Sequence, residues 1–240
     1  MSTLEGVITM KYNSEGDLIN TFKEVYFKKN NNKRSDFIVF EEMNTNWGKP
    51  DLVIIYYDKA NLLKRVGILS KYSSIPIFTN LAAYAMFYLA SLTKTTLNNL
   101  KDFLKVHTGQ FNNVLDILTK RGLVYIYNNT IRIRAKRKVF FIKRIEVYEA
   151  KIENWKRAIY QAQRHLWFTS ESYIITPAEM SSDISKKITF YCKKAGIGLV
   201  LQESKDSFKT VSKPIGRGLL DSYISWKFNE LLVDEVLNEK

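Results

Sequence analysis

The sequence predicts an α/β protein whose core carries a smaller α+β domain inserted within it. Two observations predict this. Apolar patterns of strand and helix type alternate near both ends of the chain, and three helical patterns followed by a hairpin pattern stand between them. The chain has 240 residues, 10 Gly and 4 Pro, so collagen-like and linker-dominated architectures are excluded. Its 14 Phe and 14 Tyr exclude a disordered chain.

The elements follow in order. Asp17 can cap a helix running to about Lys29, with Leu18, Phe22, Val25 and Tyr26 on one side. The Asn30–Lys33 stretch reads as a surface loop, and residues 36–40 as a short strand. A turn at Trp47-Gly48-Lys49-Pro50 leads into a buried strand over 52–57. Leu81–Ser91 reads as an apolar helix, and Thr95 opens a second with Leu97, Leu100 and Leu104 at helical spacing. Gly109–Lys120 reads as a third, carrying Phe111, Val114, Leu115 and Leu118. Strands VYIY and TIRIRA follow, joined by Asn128-Asn129, a pair that tolerates the positive φ of a tight turn. Val139–Ile152 reads as strand, Asn154–Phe168 as helix, Ser172–Thr176 as strand, Asp183–Lys194 as helix and Ile197–Leu201 as strand. A basic loop and an amphipathic helix from about Leu219 close the chain.

Four divisions result: 1–75 and 138–204 as two parts of a core, 76–137 as an insert, and 205–240 as a C-terminal loop and helix. The last helix carries Leu219, Leu220, Tyr223, Ile224, Leu231 and Leu232, which either pack on its own core or form the contact of a homodimer. The lone Cys192 rules out an internal disulfide and points to a reducing, cytoplasmic setting. No apolar run is long enough to span a bilayer, and the opening residues lack a signal-peptide pattern, so no membrane partner is expected. No G-x-x-x-x-G-K-[ST] loop occurs, so no nucleotide cofactor is expected.

Net charge is the first positive clue to function. An excess of +13 attracts polyanions, of which nucleic acid is the commonest partner. The insert adds a second clue. Three helices, then LDILTKRGLVYIY and a hairpin, resemble a winged helix-turn-helix. That resemblance implies a third helix in the DNA major groove and a wing along the backbone. Helix residues Gln110, Asn112, Asn113 and Lys120, and wing residues Arg132, Arg134, Lys136 and Arg137, are the candidate contacts. The same small domain also serves protein contacts, its charges then merely solvated.

Pro50-Asp51, Glu149-Ala150-Lys151 and the helix WKRAIYQAQRHLWF carry a third clue. With the insert set aside, their order resembles the PD-(D/E)XK nuclease superfamily, over about 1–72 and 138–204. Asp51 and Glu149 lie 98 positions apart, and the insert accounts for most of that gap. The resemblance implies a restriction-endonuclease-like mixed sheet flanked by helices. It implies Mg²⁺ or Mn²⁺ held by Asp51, Glu149, the Ala150 carbonyl and Glu24, the last directly or through water. Lys151 would orient or deprotonate the attacking water, or stabilise charge on the phosphate. Gln161 stands where some branches carry a helical glutamine, with Gln163 as its substitute.

Taken singly, Pro-Asp is a common turn, Glu-x-Lys a cross-face ion pair, and Glu24 a solvated carboxylate. In combination and in this order they point to a metal-dependent DNA endonuclease, with RNA an open alternative. Superfamily members often dimerise. The competing expectation is an inert nucleic-acid-binding regulator, or a subunit of a transposition or defence complex. His107 and His165 are expected as turn and packing or exposed residues, and Cys192 as a buried apolar one.

Overall fold

The computed structural model describes residues 12–30, 36–45, 48–179, 182–218 and 222–238. Trp47 of the expected turn, most of the 30–33 loop, and Leu219 and Leu220 lie outside these residues. The elements run α1 (Glu15–Asn30), β1 (Phe37–Glu41), β2 (Leu52–Tyr57), α2 (Lys59–Leu69), α3 (Asn80–Leu92), β3 (Lys94–Thr96), α4 (Leu97–Leu104), α5 (Thr108–Lys120), β4 (Val124–Tyr127) and β5 (Thr130–Ile133). After a 3₁₀ turn at Lys136–Lys138 come β6 (Ile142–Ala150), α6 (Trp155–His165), β7 (Glu171–Pro177), α7 (Ser182–Ala195), β8 (Gly198–Ser204), β9 (Ser207–Ser212) and α8 (Tyr223–Asn238).

The chain divides into two compact units: 1–55 with 144–218, and 56–143 with 219–240. The first is an α/β unit around a six-stranded mixed sheet of order β1-β2-β6-β7-β8-β9. The β6/β7 and β7/β8 pairs are parallel and β8/β9 is antiparallel. Successive strand residues face opposite sides. Tyr148 and Tyr173 therefore turn to α1, whose Phe22 ring lies 4.8 Å from Tyr148 and 4.9 Å from Phe208. Ile174 and Leu199 turn the other way and pack with Ala158, Ile159 and Ala162 of α6 and Ile188 and Cys192 of α7. Each fully buried Leu, Ile or Phe contributes about 1.5–3 kcal/mol through lost apolar exposure. Gly198 is required beneath Tyr173, because a Cβ there would stand 2.2 Å from its ring.

The second unit holds α2, α3, α4, α5, the three-stranded antiparallel sheet β3-β5-β4, and α8. Asn128 and Asn129 both take positive φ, 43° and 61°, as a tight two-residue turn requires. Thr96 caps α4 by accepting from the Asn99 N–H at 3.1 Å. Thr95 itself pairs with Ile131 in β3, so the second helix begins two residues later than its apolar spacing suggests. Helix α8 packs on α3 and α2 of this unit and buries Ile224, Trp226, Phe228, Leu232 and Val233. Of the residues on the apolar face expected to serve a homodimer, Ile224 and Leu232 are buried within one chain, Tyr223 and Leu231 are half-buried, and Leu219 and Leu220 lie outside the described residues.

Behind that face Arg65 meets Glu230 in two hydrogen bonds of 2.6 and 2.7 Å, and Arg121 Nε adds a third at 2.8 Å. Two guanidiniums balance one fully buried carboxylate, and Arg121 also pairs with Asp234.

Three further differences from expectation have local causes. Ser14, not Asp17, supplies the hydroxyl at the start of α1, accepting from the Asp17 N–H at 3.0 Å. Residues 59–69 form α2, whose N-terminus Asp58 caps by accepting from the Asn61 N–H. Residues 207–212, expected as part of a basic loop, form β9 because their N–H and C=O groups complete the open edge of β8. Among the described residues, no helix is long and apolar enough to cross a membrane.

Candidate active site

Asp51, Glu149 and Lys151 converge in the first unit. Asp51 precedes β2, and its Oδ2 accepts from the Ala150 N–H at 2.8 Å, fastening the start of β2 to the end of β6. Burial raises the Asp51 pKa, opposed by that N–H and by the charge of Lys151. Glu149 faces the α6 side of β6 and is fully buried. Burial, and then the neighbouring Asp51 charge, push its pKa up to about 8. Neither of its carboxyl oxygens meets the geometry of a hydrogen bond, although the Asp51 carboxyl stands beside it close enough for the two to interact. Such a group is costly unless something else occupies its lone pairs.

Lys151 continues the parallel ladder past β6, its N–H donating to the Ile175 carbonyl at 2.9 Å. Its ammonium group sits 2.6 Å from Glu15 Oε2, in the first turn of α1. Glu15 therefore provides the helix carboxylate at this site, and the expected Glu24 does not. Glu24 is exposed and lies nine residues further along α1. Nine residues are about two and a half turns and roughly 13 Å of rise, which carries it to the opposite side of the helix.

His165, expected to pack or to sit exposed, is 1% exposed, with Nε2 3.0 Å from Glu149 Oε1. The separation is that of a hydrogen bond but the alignment is not, and both ring nitrogens lack partners. Burial, and secondarily the charge of Arg164, lower its pKa to about 4, so the imidazole is neutral at physiological pH. Gly48 brings the β1–β2 turn against this ring, where a Cβ would stand 3.6 Å from His165 Cε1.

Gln161 lies one turn before His165 and so on the same side of α6. Its Oε1 is buried without a partner, whereas Gln163 is exposed. Sequence reasoning missed Glu15 and the placement of His165. The i, i+4 spacing of Gln161 and His165 is the signal that links the histidine to this face.

Among the described residues, no group of three or more His, Cys, Asp or Glu is arranged to hold a metal ion. The donors present still fit one hard cation. Two carboxylates and the Ala150 carbonyl are oxygen ligands, and Mg²⁺ completes its shell with water. Asp51 and Glu149 crowd two carboxyl groups together at a buried position, and a cation there would favour their ionised forms.

The nucleic-acid candidates all lie in the second unit. Gln110, Asn112, Asn113 and Lys120 are exposed on α5, and Lys120 pairs with Asp116 at 2.9 Å. Arg132 and Arg134 share one face of the hairpin, with guanidinium carbons 5.4 and 4.2 Å from the Tyr125 ring centre. Lys136 and Arg137 are exposed in the 3₁₀ turn. His107 caps α5, its Nδ1 accepting from the Gln110 N–H at 3.3 Å. Glu41 and Glu42 are exposed and pair with Lys23 and Lys49. Comparison with family models, with curated proteins and with solved structures found no match.

Proposed function

We propose that the first unit is a metal-dependent phosphodiesterase of the PD-(D/E)XK kind acting on DNA. In this reading the six-stranded unit is a restriction-endonuclease-like core. The α3–α4–α5–hairpin segment is a winged helix that holds the duplex. The observation that supports it best is the junction of β2 and β6. There Asp51 is bonded to the Ala150 N–H, and Glu149 keeps two buried oxygens that meet no hydrogen-bond geometry.

Asp51, Glu149 and the Ala150 carbonyl would hold Mg²⁺ or Mn²⁺. When bound, such an ion polarises a phosphate oxygen and makes water acidic enough to attack near neutral pH. The chain's own side chains do the rest. Lys151, two residues past Glu149, orients the attacking water or stabilises charge on the phosphate. Glu15, 2.6 Å from the ammonium group of Lys151, holds that lysine in place. His165 and Gln161 wall the buried side of Glu149 and keep bulk water from it. On α5, Gln110, Asn112 and Asn113 face bases or phosphates, and Arg132 with Lys136 lies along the backbone.

The Glu15–Lys151 ion pair favours a second reading, an inert nucleic-acid-binding subunit whose lysine is already neutralised. One experiment separates the two. Wild type and Lys151→Ala are compared on supercoiled plasmid, single-stranded DNA and RNA, with Mg²⁺, Mn²⁺ or EDTA. Metal-dependent cleavage, reduced at least ~100-fold by the substitution, is expected. Salt-sensitive DNA binding without cleavage by either protein leaves the inert reading standing.

A further inference from the structure

The second unit contains a pocket of about 640 Å³ between α2, the end of α5 and the segment that follows β5. Its size lies in the range of small-molecule sites. Lys64, Lys120, Arg134, Arg137 and Lys138 line it, and among the described residues no Asp or Glu does. Among the described residues, Lys120 alone of these five makes an ion pair, with Asp116 on its own helix. Like charges gathered around one concavity repel, and an anion placed among them removes that cost.

The floor is prepared for an anion in two further ways. Arg65 and Arg121 also line the pocket, and Glu230 and Asp234 hold their guanidiniums. Arg65 is 5% exposed, yet its Nε has no partner, and the same holds for Arg134 Nε. The carbonyls that end α5 would otherwise repel an anion. Several of them are occupied: Ile117, Leu118 and Thr119 accept from the N–H groups of Arg121, Leu123 and Gly122 respectively, and the Arg121 carbonyl accepts from Arg65. The rest of the wall combines Asn61, Thr119 and Gly122 with an apolar part. Tyr72 and Ile68 are each 59% exposed, and Leu69 lies beside them. Cations and an exposed aromatic ring lining one concavity match a phosphate joined to a flat, stackable group.

We propose that this pocket binds the phosphate of a nucleotide, with the base against Tyr72. The nucleotide is either free or the 5′-phosphorylated end of a strand, since both present the same chemistry. The site goes beyond the cleavage reading and does not rest on it: it lies in the second unit and requires no metal.

Calorimetric titration at one fixed salt concentration tests it, with inorganic phosphate, dAMP, and a short single-stranded oligonucleotide bearing either a 5′-phosphate or a 5′-hydroxyl. Three proteins are compared with wild type: Lys64→Ala/Arg137→Ala/Lys138→Ala, Tyr72→Ala and Lys151→Ala. Lys64, Arg137, Lys138 and Tyr72 are exposed, Lys151 is buried, and circular dichroism verifies the fold of all three variants. Wild type is expected to bind dAMP at least tenfold more tightly than inorganic phosphate. The triple variant should lose at least tenfold in affinity, and Tyr72→Ala should weaken dAMP but not phosphate. Lys151→Ala should bind as wild type does, even if no cleavage is ever found. Binding of dAMP identifies a free nucleotide. Binding of the 5′-phosphorylated strand alone, with the 5′-hydroxyl strand at least tenfold weaker, identifies a strand end. No saturable binding by any phosphate probe, an unchanged affinity in the triple variant, or dAMP no tighter than inorganic phosphate where the strand also fails, each overturns the proposal.

Discussion

Glu15 and Glu24 make the sharpest contrast at the residue scale. Both are carboxylates on one helix, yet only Glu15 touches Lys151. In a cleavage assay Glu15→Ala should lower the rate by about tenfold, or ~1.4 kcal/mol. Glu24→Ala should leave both rate and melting temperature unchanged, because surface substitutions away from packed features stay within about 0.5 kcal/mol. Equal effects of the two would remove Glu15 from the site. His165 shows how a neutral residue shapes a charged one. Its ring packs against Glu149 without charging, so the carboxyl gains shielding from water but no ion pair.

The Arg65–Arg121–Glu230 cluster joins helix α8 to α2 and to the end of α5. Burial alone would raise the Glu230 pKa, but the two guanidiniums outweigh it and hold the pKa below its ordinary value. For a carboxylate depressed in the folded state, the stabilisation is present above the unfolded pKa. It is lost as pH falls through the folded one. The second unit should therefore lose stability below about pH 4.5, the ordinary value for a glutamate. Glu230→Gln should start lower at neutral pH, by about 3–5 kcal/mol for breaking a buried pair. It should then show a flatter acid limb in thermal melts followed by circular dichroism. The hairpin offers a second check on elements. Asn129→Val should cost about 1–2 kcal/mol, because a β-branched residue resists the positive φ of 61°. Asn129→Gly should be neutral or stabilising in the same chemical-denaturation series.

Over the whole molecule, metal binding is the test that reaches every element of the first unit. An ion held by Asp51 and Glu149 ties β2 to β6 and stabilises only the folded state. Thermal shift with Mg²⁺ or Mn²⁺ should raise the melting temperature of wild type, reflecting a stabilisation of about 2.7 kcal/mol at a hundredfold excess over Kd. The increase should vanish in Asp51→Asn and in Glu149→Gln. A rise that persists in both would place the cation elsewhere.

The chain itself determined the alternation of elements and the Asn-Asn turn. These depend on local periodicity and on residue types that act at short range. The grouping of Asp51 with Glu149 and Lys151 is expected only from a family resemblance, and the fold brings them together across 98 positions. Strand β9 and helix α2 were not legible, since Ser207–Ser212 has little apolar alternation of its own and becomes a strand by completing the edge of β8. The choice of Glu15 over Glu24, the placing of His165 against Glu149, and the burial of α8 within its own unit were decided only in three dimensions. Each depends on which face of a helix a distant strand or helix covers. That choice is set by packing the whole core rather than by any nearby residue.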